Sequence, residues 1–432
     1  MRITLTPRVL LVALLGIPLL LIAPHWATVL VCTVALLTVL LIDVLAAGSP
    51  RRLRVTRESP STTRLGTTGA GRLLLTNPME RTVRLQVRDP WNPTAGLSDQ
   101  RSRPVVPPGE RRAVPQSFTP VRRGRHTSPG PTIALTGPMG LTRRVADLPV
   151  PGAFLALHAF PARRHLPARL RRLREIEGLA AVHHRGPGTE FDSLKEFVDG
   201  DDVRSIDWRA TARGRTVVVR TWRPERDRRI LLVLDTSRTA AARIGDAPRL
   251  DAAIDAALLL TALAAAAGDR VDVLCADRIP HASVEGSPAR TVLHDVITTV
   301  SPVQAALVET DWEMIAAQVH RRTRRGDLVV LLAPVEAAEA GSGMLPVVAR
   351  IAADHPLVVA SVEDPSLAEL AAERGDVRAA YRAAAAAASR VERGHAAQGL
   401  ERAGAVVVDA GPEDLPQRLA DQYLALKAAG RL

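Results

Sequence analysis

Residues 230–239 read ILLVLDTSRT, an apolar run that ends at an aspartate. Five consecutive apolar residues followed by Asp235 are typical of a strand that is buried on both faces, as in a parallel sheet covered by helices. In open sheets of this kind, ligands bind outside the carboxyl ends of the strands. The sequence therefore predicts an α/β domain with a polar site that begins at Asp235.

Apolar runs and helical patterns alternate from residue 230 to residue 432. This alternation predicts a doubly wound sheet with helices on both faces. Further strands are expected at Val271–Ala276, Leu328–Ala333, Leu357–Ser361 and Ala405–Val408. Helices are expected at Leu250–Ala267, Asp311–Arg324, Leu345–Ala353, Val377–Arg402 and Glu413–Ala429.

The front of the chain is apolar, and between Val9 and Ala47 only Pro24-His25-Trp26 and Asp43 interrupt the run. One membrane span needs about 20 residues, so this length predicts two helices joined as a hairpin. The first would cover Val9–Ala23, extended by Ile3–Thr6, and the second Ala27–Ala47. A cleaved signal peptide is the alternative, but residues 23–27 make a poor cleavage site.

The flanking charges orient this hairpin. Arginines lie at both of its ends, whereas its turn has none. By the positive-inside rule, the N-terminus and the main domains are expected in the cytoplasm, with the hairpin in the inner or plasma membrane of a bacterium.

Four segments follow from these patterns. Residues 1–50 form the transmembrane hairpin, and residues 51–150 are expected to form an all-β, sandwich-like domain, since apolar and polar residues alternate there between Gly and Pro breaks. Residues 151–229 are a basic connector with a charged block, and residues 230–432 are the α/β domain. Leucines at helical spacing predict a short helix in the connector, which could lie on lipid or on protein.

The charge is uneven along the chain. The net charge is +12, composed of +19 over residues 1–230 and −7 over residues 231–432. A basic segment beside a membrane attracts anionic lipids, which are therefore expected partners. Nucleic acid is not expected, because aromatic residues are only 3% of the chain and no binding motif is present. Two cysteines exclude a disulfide scaffold or a cysteine-built zinc site.

The most charged block is residues 186–220, GPGTEFDSLKEFVDGDDVRSIDWRATARGRTVVVR. Its carboxylates and guanidiniums can form ion-pair networks, a recognition surface or, less simply, an acid/base site. Trp208 is expected to anchor the packing because it is a large ring. The candidate residues, for partner binding or for structure, are Glu190, Phe191, Asp201, Asp202, Arg204, Asp207, Trp208 and Arg209.

The stretch EFDSLKEFVDGDDVRSIDWRATAR, followed by Asp235-Thr236-Ser237, resembles the signature of the bacterial domain-of-unknown-function family number 58. The resemblance extends to the paired apolar helices, to GPMGL at residues 137–141 and to YLALK at residues 423–427. It implies a membrane-anchored partner of MoxR-type AAA ATPases that carries a von Willebrand factor A-like domain.

The resemblance also implies a metal site. In von Willebrand A domains a divalent cation is held at the strand ends by an Asp-x-Ser-x-Ser loop, a Thr and an Asp from two later loops. The matching residues here are Asp235, Ser237, Thr239 and Thr310. The third loop, residues 333–336, has no Asp, and Arg238 adds a positive charge, so the site is expected to be degraded. Magnesium is the only cofactor considered, and weak binding or none is expected.

We therefore expect a membrane-anchored cytoplasmic interaction or adaptor protein without catalytic activity. Nucleophile-elbow, phosphate-loop and zinc-protease motifs do not occur in the sequence. The histidines of the α/β region are scattered, without partners at ligand spacing. Two alternatives stay open: an enzyme that uses the acidic block 190–207, and a structural scaffold of the cell envelope.

Overall fold

The computed structural model describes residues 1–183, 190–198, 203–214, 216–223, 228–336 and 343–432. The chain divides into two compact units, Met1–Ala159 and Phe160–Leu432. The first unit contains the apolar helices and the β-rich region, which continues to a strand at Gly152–Leu157. The second unit contains the α/β region.

The apolar helices of the first unit are α1 (Arg8–Leu14), α2 (Ile17–Ile22) and α3 (Trp26–Ala47). Among the described residues, one helix, Trp26–Arg52, is long and apolar enough to cross a membrane, and Arg8–Ile22 is a shorter apolar segment. The shorter segment is divided at Gly16 because Pro18 lacks an N–H and favours the first turn of a new helix.

The described first unit contains three sheets, and strands of two of them surround an aliphatic core. The strands are β1 (Arg2–Leu5), β2 (Arg54–Glu58), β3 (Thr62–Arg64), β4 (Gly69–Thr76), β5 (Val83–Arg88), β6 (Arg101–Ser102), β7 (Val105–Val106), β8 (Arg111–Phe118), β9 (Gly124–Ser128), β10 (Thr132–Thr136), β11 (Thr142–Asp147) and β12 (Gly152–Leu157). One sheet has the order β1-β11-β10-β5-β6, with β7 also on β5, and the others are β2-β4-β8 and β3-β12-β9.

The predicted alternation is confirmed on β5, where Val83, Leu85 and Val87 are buried and Arg84 and Arg88 are exposed. These side chains join Leu73, Leu75, Ile133 and Leu135 in the core.

Strand β1 corrects one expectation. Residues Ile3–Thr6 were expected to extend the first membrane helix, but Arg2–Leu5 pair antiparallel with β11, from Arg2 opposite Val145 to Leu5 opposite Thr142. The alternation of Arg, Ile, Thr and Leu suits an edge strand, and helix α1 begins only after Pro7.

The second unit begins with helix α4 (Leu166–His183) and the small hairpin β13 (Glu190–Glu196) and β14 (Val218–Arg223), with α5 (Trp208–Thr211) between its strands. Helix α4 lies on protein within this unit, since Leu173 is buried and Arg169 pairs with Asp421 at 3.1 Å.

The main sheet of the second unit has the order β19-β18-β15-β20-β21-β22, which is parallel except for β19 at one edge. Its strands are β15 (Arg229–Asp235), β18 (Arg270–Ala276), β19 (Pro280–Val284), β20 (Leu328–Leu332), β21 (Leu357–Val362) and β22 (Val406–Ala410), and β16 (Arg243–Ile244) and β17 (Ala247–Pro248) form a separate short ribbon. The remaining helices are α6 (Arg238–Ala241), α7 (Arg249–Ala266), α8 (Val292–Val300), α9 (Trp312–Arg322), α10 (Leu345–Asp354), α11 (Ser366–Ala372), α12 (Val377–Arg402) and α13 (Leu415–Ala428).

The predicted α/β region is confirmed in this sheet. Strand β15 is central and its residues Ile230–Asp235 are buried. The chain moves from β15 to β18 on one side and later to β20 on the other. The strand order therefore reverses beside β15, and ligands of doubly wound sheets bind at such a reversal, outside the carboxyl ends of the strands.

Candidate functional site

The predicted polar cluster forms at the carboxyl end of β15. The buried carboxylate of Asp235 accepts hydrogen bonds from Ser237 Oγ (2.6 Å), from the Ser237 backbone N–H (3.1 Å) and from Thr310 Oγ1 (2.9 Å). Thr239 Oγ1 lies 3.4 Å from the same carboxylate and 3.0 Å from Ser237 Oγ. All four residues that the sequence selected are therefore together, although Thr310 is 75 residues from Asp235. Their role as metal ligands stays a prediction.

The donors around Asp235 are hydroxyl and amide groups. Burial raises the pKa of Asp235 above its ordinary value of 3.8, and the hydrogen bonds from Ser237 and Thr310 oppose that rise only in part. A carboxylate in such surroundings is stabilised less in its charged form than one that faces an arginine.

A second carboxylate, which the sequence did not select, lies on the neighbouring strand. Asp277 follows β18 directly and is buried. Its Oδ2 atom is 2.6 Å from His281 Nε2 and 3.1 Å from Thr236 Oγ1, and the Arg278 backbone N–H donates to Oδ1 at 2.6 Å. Although burial opposes ionisation, these hydrogen bonds hold the pKa of Asp277 below its ordinary value.

His281 is thus not isolated, which corrects the expectation of histidines without partners. The four-residue spacing to Asp277 was a readable signal, and so was the position of Asp277 directly after an apolar strand. Sequence inspection missed it because a hairpin, rather than a helix, brings the two side chains together.

Backbone hydrogen bonds join three loops at this edge. The N–H of Ala306 donates to Thr236 O at 2.7 Å, that of Arg238 to Val308 O at 2.9 Å, and that of Asp311 to Asp277 O at 3.1 Å. Exposed apolar residues lie in two of these loops, since Ile279 is 59% exposed and Leu307 is 84% exposed. Hydrogen bonds therefore hold the three loops together at this edge of the sheet, and apolar side chains of the loops are exposed to solvent.

The loop after β20, residues 333–336, does not supply the Asp ligand that von Willebrand A domains have there. The Val335 backbone N–H donates to Ser361 Oγ at 3.0 Å, and Glu336 forms an ion pair with the nearly buried Arg249. Among the described residues, no group of three or more His, Cys, Asp or Glu side chains is placed to hold a metal ion. The oxygens at Asp235 are chemically suitable for magnesium, but they bring one carboxylate charge.

The charged block has a different organisation from the one expected. Asp207 is the N-cap of α5, and its Oδ1 atom accepts the backbone N–H groups of Arg209 and Ala210, both at 3.0 Å. Trp208 is 68% exposed, so the expectation that it anchors the packing is wrong. The first turn of α5 points this ring outward, where it can serve recognition.

The other candidates of the block are only partly described. Arg204 and Arg209 are exposed. Glu190 and Phe191 lie on β13, and Asp201 and Asp202 lie outside the described residues.

Comparisons with known proteins found one family model and several relatives that match part of the chain. The family model "Protein of unknown function DUF58" matches residues 193–396. Uncharacterized proteins Mb1516 of Mycobacterium bovis and Rv1480 of Mycobacterium tuberculosis are each 30% identical to this chain over 198 residues. That alignment covers 44% of this chain and 60% of each relative.

Solved structures show only slight likeness. A fragment of native alpha-2-macroglobulin from Escherichia coli has a TM-score of 0.23 at 21% identity and covers 27% of this chain and 18% of that one. The CARDB domain of PF1109 from Pyrococcus furiosus has a TM-score of 0.19 at 15% identity and covers 24% of this chain and 86% of that one. The family match, by contrast, spans most of the charged block and the sheet edge at Asp235, so residues 193–396 are similar to the DUF58 family of proteins of unknown function.

Proposed function

We propose that this protein is a membrane-anchored adaptor of the bacterial inner or plasma membrane, with its main domains in the cytoplasm. Its second unit would dock a MoxR-type AAA ATPase, the partner implied by the resemblance of its signature block. The observation that carries the proposal is the edge of the sheet where hydrogen bonds join three loops. Hydroxyl groups there surround a buried carboxylate, and the loops also carry exposed apolar side chains.

The anchor is supported by the topology of the first unit. Strand β1 precedes the apolar segment and β11 follows it, yet the two strands pair. A segment that crosses a membrane between them must therefore return to the same face, which favours a helical hairpin. The arginines at both of its ends favour the cytoplasmic face.

A von Willebrand A-like fold is supported by the second unit. The order β19-β18-β15-β20-β21-β22, with an antiparallel edge strand, suits such a domain. Dinucleotide-binding folds share this doubly wound order, but their first loop is rich in glycine, whereas the loop here reads Asp235-Thr236-Ser237-Arg238-Thr239.

Docking suits the sheet edge better than catalysis does. The exposed Ile279 and Leu307 offer apolar contact area, and the ion pair of Arg238 with Glu309 (2.7 Å) supplies a polar rim. A catalytic role for the block 190–207 needs a carboxylate that faces a substrate, whereas Asp207 caps a helix. We therefore favour the adaptor over the enzyme.

A divalent cation is not essential to this proposal. Asp235, Ser237, Thr239 and Thr310 would hold magnesium if it bound, where it would attract an anionic group of the partner. One carboxylate gives little charge for a hard cation, so we propose weak binding.

Capture of the ATPase tests the proposal. The full chain, solubilised from membranes in mild detergent, is incubated with a purified MoxR-type ATPase of the same bacterium. Leu307→Ser should reduce capture at least tenfold, while Val391→Ser, a matched change at another exposed apolar residue of the second unit, should leave it unchanged. Failure of the unchanged chain to capture the ATPase would contradict the proposal.

A further inference from the structure

A buried carboxylate joins the long apolar helix to the β region. Asp43 lies on α3 and is fully buried. Its carboxylate accepts four hydrogen bonds from residues 139–142: from the backbone N–H groups of Met139 (2.8 Å), Leu141 (3.0 Å) and Thr142 (2.7 Å), and from Thr142 Oγ1 (2.7 Å). The turn between β10 and β11 is therefore bound to the helix by its backbone.

The sequence of this turn fits the carboxylate closely. A Cβ atom at Gly137 would lie 2.4 Å from both carboxylate oxygens, so a larger residue there would displace Asp43. Gly140 has a φ of +71°, which favours glycine, and the Arg8 side chain lies against it. Residues 137–141 are the GPMGL stretch that the sequence singled out and that the proposed docking role does not use.

The chain before the apolar segment is bound to the same turn. The Thr6 backbone N–H donates to Leu141 O at 2.8 Å, and Thr6 Oγ1 donates to Gly140 O at 2.7 Å. The turn thus holds both the entry to α1 and the last turns of α3, and we call residues 5–8 with residues 137–142 the collar.

Helix length places the collar at the membrane. Trp26 is 88% exposed at the start of α3, where a tryptophan suits the interface. A span of about 20 residues from Trp26 ends near Leu45, beyond Asp43. At 1.5 Å per residue, Asp43 lies about 3 to 5 Å inside that limit. The collar, which contacts Asp43, must then reach the head-group layer.

The exposed side chains of the collar suit that layer. Leu5 is 60% exposed and Met139 is 50% exposed, and Arg8 is exposed beside them. Arg51 and Arg52, which follow α3, are exposed as well. Apolar side chains among arginines match the boundary between acyl chains and anionic head groups.

We propose that the collar is a membrane-contact surface for anionic phospholipid, with Asp43 as its positioning residue. Met139 and Leu5 enter the head-group boundary, and the arginines contact lipid phosphates. Asp43 holds the turn against the helix, so that the β region is fixed at the bilayer instead of hanging from a flexible tether. This inference rests on the anchoring part of the proposed function.

Quenching by brominated lipid tests the collar in the full chain. A fluorophore is attached at Met139→Cys in a background with Cys32→Ala and Cys275→Ala, and the protein is reconstituted into phosphatidylcholine vesicles with or without phosphatidylglycerol. The matched control is Val121→Cys, which is also exposed and follows the end of β8, outside the collar residues. We expect at least threefold stronger quenching at position 139 than at position 121, and a further increase with phosphatidylglycerol.

Two readouts separate this inference from the anchor itself. Resistance to carbonate extraction reports anchoring, so extraction-resistant protein with equal quenching at both positions overturns the collar alone. Protein that carbonate extracts contradicts the anchor and the collar together. Asp43→Ala should keep the extraction resistance and lower the quenching at position 139 toward that of the control, whereas unchanged quenching would remove Asp43 from its positioning role.

Discussion

Asp89 in the first unit and Asp235 in the second are both buried carboxylates, but their partners differ. Asp89 binds Arg57 through two hydrogen bonds, of 2.7 and 2.8 Å, and also accepts from Gln116, Ser128 and Trp91. Asp235 is surrounded by hydroxyl groups. Although burial opposes ionisation of both, the bonds to Arg57 and Gln116 lower the pKa of Asp89, whereas burial dominates and raises the pKa of Asp235.

The two carboxylates differ in the groups that surround their charge. The Asp89 network joins strands β2, β8 and β9 of the first unit and gives its charge a fixed counter-ion. The Asp235 cluster lies at the carboxyl end of β15 and surrounds its buried carboxylate with hydroxyl and amide donors. We infer that the first cluster stabilises the fold and that the second serves docking.

Removal of the Asp89 carboxylate should have the largest effect. Asp89→Ala leaves the Arg57 guanidinium buried without its counter-ion, since both side chains are less than 5% exposed. Loss of one partner of a buried pair costs roughly 3–5 kcal/mol. Chemical denaturation of the full chain, followed by tryptophan fluorescence at Trp91, should show the first unit unfolding at lower denaturant.

The control for this change is an exposed ion pair of the same unit. Glu58→Ala removes the partner of Arg72, and both of these side chains are about half exposed. An exposed pair contributes less than about 1 kcal/mol. Equal losses from the two substitutions would contradict the structural role of Asp89.

The contributions of Asp89 and Asp235 to stability should depend on pH with opposite signs. The pKa of Asp89 is lowered on folding, so its contribution is present above the unfolded pKa and disappears as the pH falls through the folded value. The pKa of Asp235 is raised, so its contribution is complete below the unfolded pKa, near 3.8, and disappears as the pH rises through the folded value.

Asp235→Asn isolates the second of these effects. The substitution should cost less than about 1.5 kcal/mol at neutral pH, because burial already disfavours the charge. It should also remove the contribution of Asp235 to the pH dependence of stability above about pH 4. Unfolding midpoints measured across the acidic range check both statements, and an unchanged pH profile would contradict them.

Two neighbouring residues of the charged block should differ in how much they contribute to the free energy of unfolding. Asp207→Ala removes the N-cap of α5 and should lower the free energy of unfolding by about 1 kcal/mol. Trp208→Ala, at an exposed position, should change it by less than about 0.5 kcal/mol. A large loss of stability from Trp208→Ala would restore the packing role that its exposure contradicts.

Magnesium should have the smallest effect. At a concentration equal to the dissociation constant, a ligand adds only about 0.4 kcal/mol. Millimolar magnesium should therefore raise the melting temperature of the second unit only slightly. A large rise that Asp235→Ala abolishes would mean that the hydroxyl ligands suffice to bind the cation. Magnesium would then supply to Asp235 the positive charge that Arg57 supplies to Asp89.

The sequence predicted local features well. The apolar runs located the central strands and the helix Val377–Arg402, and the loop after β15 identified Asp235, Ser237 and Thr239. Each of these features lies within one secondary-structure element or one loop, so hydrophobic periodicity and composition are enough to predict it.

Long-range pairing was beyond the same reasoning. Strand β1 pairs with residues more than 130 positions away, and Asp43 binds a turn about 100 positions away. The hydropathy pattern treats Asp43 as an interruption of an apolar helix and cannot show its partner. Trp208 was misjudged because ring size favours burial, whereas the first turn of α5 determines where the ring points.

The most direct test measures binding and stability on the same variant. Asp235→Asn in the full chain, reconstituted into lipid nanodiscs, is compared with the unchanged chain for affinity to the MoxR-type ATPase and for the unfolding midpoint of the second unit. We predict at least a tenfold loss of affinity with a nearly unchanged midpoint. Full affinity, or a loss of affinity that merely follows a collapse of the midpoint, would contradict the claim that the Asp235 edge is a docking site.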